Sequence, residues 1–136
     1  MDKILTPPHV TVLLSVYNGE RFLAEAIDSI LCQSYKNYEF IIIDDASTDS
    51  TAEILKRYER EDSRIKIVTN AVNLRLAASL NKGISLASGE LIARMDADDV
   101  SLPGRLEKQV AFMQANPNVS VCGTALSVYD SPSTVW

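Results

Sequence analysis

Glu90-Leu91-Ile92-Ala93-Arg94-Met95-Asp96-Ala97-Asp98-Asp99 passes within ten residues from a mostly apolar run to three aspartates. The run from Glu90 to Met95 reads as a strand, and the acids as the loop at its C-terminal end. Carboxylates crowded at such a point repel one another and hold protons more tightly unless a positive charge compensates them. Asp96 and Asp98 can converge on one side of a turning backbone, and their hard oxygens suit Mg²⁺ or Mn²⁺. Asp99 either completes that shell or orients the helix that follows. The alternative is a solvated cluster of acids at a helix start.

A second acidic step, Ile41-Ile42-Ile43-Asp44-Asp45, ends an earlier strand-like run in the same way. Working outward from these two, Val10 to Val16 is a β-branched run bounded by Pro8 and by Asn18-Gly19, as in a strand buried on both faces. Glu20 to Gln33 changes to a helical period through Leu23, Ile27, Ile30 and Leu31. Tyr38 to Ile43 is the second strand. Ser50-Thr51-Ala52-Glu53 has capping-box spacing, with Asp49 as the competing cap, and opens a helix to about Glu61. Ile65 to Val68 is a third strand, and Leu76 to Ala87 a helix facing inward through Leu76, Leu80, Ile84 and Ala87. Gly83 weakens that helix and Gly89 ends it. After the acids, Ser101-Leu102-Pro103 places proline in a first helical turn. That helix continues through Leu106, Val110 and Met113 to Asn116-Pro117, and Val119 to Gly123 is a fifth strand.

Strands and helices thus alternate with short connections, the pattern of an α/β fold with a mostly parallel sheet flanked by helices on both faces. Ligands bind such sheets at the C-terminal strand ends, where Tyr17-Asn18-Gly19, Asp44-Asp45 and the Asp96 to Asp99 cluster all fall. One domain at 9–124 is expected, with a tail at 1–8 and a second at 125–136 that leads toward an acceptor-binding part.

The formal charge of −5 disfavours nucleic acid and acidic surfaces as partners, so an acidic pocket needs a metal before it accepts phosphates. Cys32 and Cys122 lie far apart without a CxxC pair, which points away from zinc and disulfides and toward a reducing, cytoplasmic setting. No signal peptide or membrane span is indicated. The fifth strand, as an unprotected edge, invites a second copy of the chain.

Asp44 and Asp45 can accept hydrogen bonds from a base or ribose, or simply lead into a capped helix. Tyr17 can stack on a base or pack over the sheet rim. Arg75 and Lys82 can meet phosphate oxygens or form a solvated face. Arg94 can pair with Asp96 or another nearby carboxylate, and Arg105 can point back to the acidic loop from its first helical turn. His9, before the first strand and at its opposite end, is placed for a surface role.

These pieces together closely resemble the nucleotide-binding half of the family 2 glycosyltransferases, inverting enzymes of the Rossmann-like GT-A fold. The resemblance rests on Val12 to Gly19, Ala26 to Tyr35, Ile43 to Asp49, Asn81-Lys82-Gly83, and Met95 to Asp99 with Leu102 to Leu106, and spans about residues 9–124. It implies that Val16, Tyr17 and Asn18 line a base pocket and that Asp44 or Asp45 contacts the uracil or ribose. It also implies that Asp96 and Asp98 form a DxD motif, binding Mn²⁺ or Mg²⁺ that bridges the donor diphosphate, with Asp99, Lys82 and Arg105 beside them. Two departures stand out. Ala46 replaces the usual glycine, so its loop is expected to avoid φ values that alanine resists, and Arg75 stands where relatives carry glycine or lysine.

The implied reaction is transfer of a sugar, with inversion, from a nucleoside diphosphate sugar such as a UDP-sugar to an acceptor hydroxyl. A saccharide or lipid-linked saccharide is the implied acceptor, and the enzyme is implied to sit peripherally at the inner membrane face. This chain supplies the donor and metal site, and the catalytic base is expected downstream of residue 136. The alternative is a noncatalytic nucleotide-sugar-binding or regulatory domain. A phosphorylated receiver is disfavoured because Val16 leads into Tyr17-Asn18 rather than an acid pair, and a dinucleotide oxidoreductase because that turn is not glycine-rich.

Overall fold

The computed structural model describes residues 9–131 and 134–135, so the expected tail at 1–8 lies outside the described residues. Its elements are β1 (Val10–Val16), α1 (Leu23–Leu31), β2 (Tyr38–Asp44), α2 (Thr51–Glu61), β3 (Ile65–Thr69), α3 (Arg75–Leu86), β4 (Leu91–Asp96) and α4 (Arg105–Ala115). A short antiparallel pair follows, β5 (Tyr129–Ser131) with β6 (Thr134–Val135). The main sheet runs in the order β3-β2-β1-β4 with every pairing parallel. All four C-terminal strand ends therefore open on one rim.

Burial separates the two faces of the sheet. Val10, Val12, Leu14 and Val16 point to one side, where α1, α2 and α4 deliver Leu23, Ile27, Ile30, Leu55, Tyr58, Leu106 and Val110. On the other side Leu13, Ile41 and Ile43 meet Leu80 and Ala87 from α3 and its end. Helices thus cover both faces, and β2 is buried at every position because it has a neighbour on each edge and each face.

Helix α3 departs from the expected inward face. Leu76 and Ile84 are about half exposed, while Ser79 and Gly83 are buried. The reason is distance: a Cβ at Gly83 would stand 2.3 Å from Leu13 Cδ1, so the helix lies against the sheet through its smallest residues. Gly89 likewise serves close approach rather than helix termination, since an added Cβ would meet the Thr11 backbone nitrogen at 2.4 Å.

The expected strand at Val119 to Gly123 does not form; residues 119–128 are irregular. An apolar β-branched run becomes a strand only where a neighbour accepts its hydrogen bonds, and here Val121 stays exposed while the Cys122 carbonyl meets Gln109 Nε2 at 3.5 Å. The edge expected to recruit a second copy is therefore absent. Helix α4 also starts later than expected, with Gly104 as its N-cap at φ 79° and Pro103 outside the helix. At α2 the Ser50 side chain makes no cap bond; Asp49 Oδ1 accepts from Thr51 N instead. Among the described residues no helix is long and apolar enough to cross a membrane.

The far end of the sheet is closed by one carboxylate. Glu39 on β2 accepts from Thr11 Oγ1 of β1, from Lys66 Nζ of β3, and from Ser88 N and Oγ just before β4. Burial pushes its carboxyl up, but the bonds from Lys66, Thr11 and Ser88 outweigh that and lower it from 4.5 to about 2. A folded-state value below the unfolded one means a contribution that is present above pH 4.5 and lost as the pH falls toward 2. Urea midpoints measured between those pH values should fall steeply in the native protein. In E39Q the same window should be flatter and the protein less stable at pH 7.

Candidate active site

Strand pairing brings the two decisive loops together. Ser15 of β1 stands opposite Asp96 of β4, and Val16 stands opposite Asp44 of β2. A cleft of about 310 Å³ opens between the β1 and β4 ends, lined by Val16, Tyr17, Asn18, Phe22, Asp96 and Asp98 among others. Tyr17 is half exposed there, with its ring free to meet a flat ligand.

The loop after β1 is stitched to the loop after β2. Asn18 Oδ1 accepts from Thr48 N at 2.8 Å, its own N donates to Ser47 Oγ at 3.0 Å, and Gly19 N donates to Thr51 Oγ1 at 2.9 Å. Asn18 adopts φ 52°, and Ala46 across the seam adopts φ 63°. The expectation that Ala46 would avoid such values is therefore overturned. Asp44 Oδ1 accepts from Ser47 N at 3.0 Å, and Asp45 N donates to Val16 O, so the surrounding bonds force the turn that alanine resists.

Asp45 faces the other way. Its Oδ1 accepts from Asn70 Nδ2 at 2.7 Å and Leu74 N at 2.8 Å, and its Oδ2 from Arg75 N at 2.9 Å. Burial pushes this carboxyl up, yet those bonds more than offset it and leave it below the usual carboxylate range. Arg75 is held at φ 70° by this grip. Asn70 also reaches Ser79 Oγ and accepts from Lys82 Nζ at 2.7 Å. Asp44, Asp45, Arg75 and Lys82 thus form a rim beside the cleft rather than lining it.

The acidic loop rests on two supports. Gln33, fully buried, donates to the carbonyls of Ser101 and Leu102 and accepts from Leu106 N. Arg105 donates to the Arg94 carbonyl at 2.9 Å, to Ser101 Oγ and to Gln109 Oε1. Asp99 is raised above its usual value by burial first and then by Asp96 and Asp98, with Arg105 and Arg94 acting the other way. Asp96 itself accepts from Arg94 Nη2 at 2.6 Å.

Among the described residues no three His, Cys, Asp or Glu side chains converge as a ready-made metal site. Two carboxylates on one cleft still suit Mg²⁺ or Mn²⁺, which commonly take one or two protein carboxylates and complete their octahedron with water and substrate phosphates. Asn70 and Gln33 were not legible as site supports. A polar residue at a strand end or helix end shows its role only when its distant partners are known. His9 lies at the opposite end of the sheet, hydrogen-bonded to Tyr35 OH.

The profile of a family described as Glycosyl transferase family 2 matches residues 11–136. EpsE of Bacillus subtilis is 55% identical over 124 residues, covering 90% of this chain and 45% of its own length. An Escherichia coli protein named UDP-Glc:alpha-D-GlcNAc-diphosphoundecaprenol beta-1,3-glucosyltransferase WfgD is 38% identical over 111 residues, covering 82% of this chain and 43% of its own. Among solved structures, the mannosyltransferase PcManGT of Pyrobaculum calidifontis, in complex with GDP-Man and Mn²⁺, superposes with a TM-score of 0.76 at 28% identity. That match covers 85% of this chain and 34% of the other. Staphylococcus aureus TarS shares the fold, with a TM-score of 0.74 at 23% identity, over 90% of this chain and 38% of the other. The chain therefore spans less than half the length of these relatives.

The strained turn beside the cleft carries its own test. In A46G a left-handed residue loses its Cβ, so relief of strain should exceed the added unfolded-state entropy and stabilise the protein by about 0.5–1 kcal/mol. The check is the urea midpoint, and a lower midpoint in the variant would contradict the strain.

Proposed function

The chain belongs to glycosyl transferase family 2, and from that premise we propose that it supplies the donor site for transfer of a sugar from a nucleoside diphosphate sugar to an acceptor hydroxyl, with inversion. The observation that carries the reading is the shared cleft: Tyr17 and Asn18 on one wall, Asp96 and Asp98 on the other, joined by the β1–β4 register. The nucleotide lies along the β1 end with its base against Tyr17. Asp44 and Asp45 shape the adjoining rim for the base and ribose, Asp45 acting through the loop that it grips. Lys82, already hydrogen-bonded to Asn70, stands on that rim as a cation for phosphate oxygens.

Asp96 and Asp98 would hold Mn²⁺ or Mg²⁺ together with the donor diphosphate. A cation bound there offsets the charge that grows on the departing diphosphate. Arg105 keeps the acidic loop in place by holding the Arg94 carbonyl, and Asp99 is exposed outside the residues that line the cleft. The naming of GDP-Man and Mn²⁺ with one structural relative, and of a UDP-glucose donor and a lipid diphosphate-linked saccharide acceptor with another relative, supports this division. By the same likeness we place the acceptor among saccharides and lipid-linked saccharides of polysaccharide biosynthesis. The base would come from residues outside those described here, and the whole enzyme would work in the cytoplasm against the inner membrane face.

The expected outcome is calorimetric binding of UDP that requires Mn²⁺ and is abolished in D98A. UDP binding that is indifferent to both the metal and the substitution would end this reading. Running GDP and dTDP alongside identifies the base that the Tyr17 wall prefers.

A further inference from the structure

Arg94 lies on β4, which among the described residues has a neighbour on only one edge. Residues two apart on a strand share a face, so Arg94 and Asp96 project together, and Arg94 Nη2 reaches Asp96 Oδ1 at 2.6 Å. The Arg94 backbone is fixed, because its carbonyl accepts from Arg105 Nη2 and its register is set against Leu13. Its side chain is not: it is 51% exposed, the partner carboxylate is 42% exposed, and the bond to Asp96 is the one ion pair recorded for it among the described residues. A guanidinium on a fixed stem thus occupies one of the two carboxylates on the cleft. The pair is exposed enough to be weak, which makes the guanidinium displaceable.

Resting on the proposed donor site, we propose that Arg94 is the resident counter-ion of Asp96, yielding the carboxylate only when a divalent cation arrives with a diphosphate. Asp96 and Asp98 give a bare cation only two protein carboxylates, since no third acid, histidine or cysteine joins them among the described residues, and water must supply its other ligands. A bare cation must therefore displace Arg94 with only these two carboxylates to gain. A cation already carrying phosphate oxygens brings the missing ligands with it, and it brings negative charge that the released guanidinium can meet. Arg94 is in this sense a positioning residue that couples metal binding to nucleotide binding. No bond is made or broken in the exchange.

Manganese paramagnetic resonance, which reads free Mn²⁺ directly and needs no turnover, tests the idea on the full chain with and without UDP. Native protein should bind Mn²⁺ weakly alone and much more tightly with UDP. R94Q removes the competing charge, and should tighten Mn²⁺ binding without nucleotide by about three- to tenfold, the range expected for losing an exposed pair and its repulsion of the incoming cation. UDP should then add correspondingly less. R94K, which keeps the charge, should stay near the native values. If the native protein shows UDP-dependent Mn²⁺ binding while R94Q binds the bare metal no better, the donor-site reading stands and the role of Arg94 falls. If the native protein binds no Mn²⁺ even with UDP, both fall together, and D98A will then match the native protein.

Discussion

Strand β1 is hydrogen-bonded on both edges, and its register is the constraint from which the site follows. Ser15 faces Asp96 on one side and Val16 faces Asp44 on the other. A slip of one residue would turn Asp96 to the opposite face and take it out of the cleft. The register is secured at the far end of the sheet. Glu39 gathers donors from β1, β3 and the residue leading toward β4, and Gly89 N donates to Thr11 Oγ1 where only a glycine lets the chains approach. Polar bonds at one end of the strands thus place the acids at the other.

Around the cleft each loop is held by side chains from somewhere else in the chain. Asn18 ties the first loop to residues 47 and 48, Asp45 grips residues 74 and 75, and Gln33 carries the segment after the acids. Among the described residues the non-glycine residues with positive φ are Asn18 and Ala46 in these loops and Arg75 at the start of α3. Such conformations persist only where neighbouring bonds over-determine them. The strain is therefore local to the rim, while the two central strands beneath it, β1 and β2, are regular and almost wholly buried. That arrangement leaves the cleft walls preformed, with the side chains of Tyr17 and Arg94 exposed beside them.

The elements whose signal is local were readable in advance. Val10 to Val16 is a strand over the residues that its apolar run marks, and Thr51 to Glu61 is a helix behind the expected cap region at Asp49 and Ser50. The inward face of α3 was misread because a helix pressed close to a sheet turns its small residues inward, and hydrophobicity alone favours Leu76 and Ile84. Val119 to Gly123 was misread because strand propensity needs a partner to act on.

The amino-acid sequence by itself determined the alternation of strands and helices and the placement of acids after β2 and β4, because period and turn chemistry are properties of neighbouring residues. It also marked Tyr17, Asp96 and Asp98 as belonging to one rim. Only the tertiary structure decided what each charged group holds. It turned Asp45 inward to Asn70, Leu74 and Arg75, set Arg94 on Asp96 and placed Arg105 under the acidic loop. A carboxylate takes whichever donors come within about 3 Å, and in this chain most of those donors are brought there by strands and helices far away in sequence.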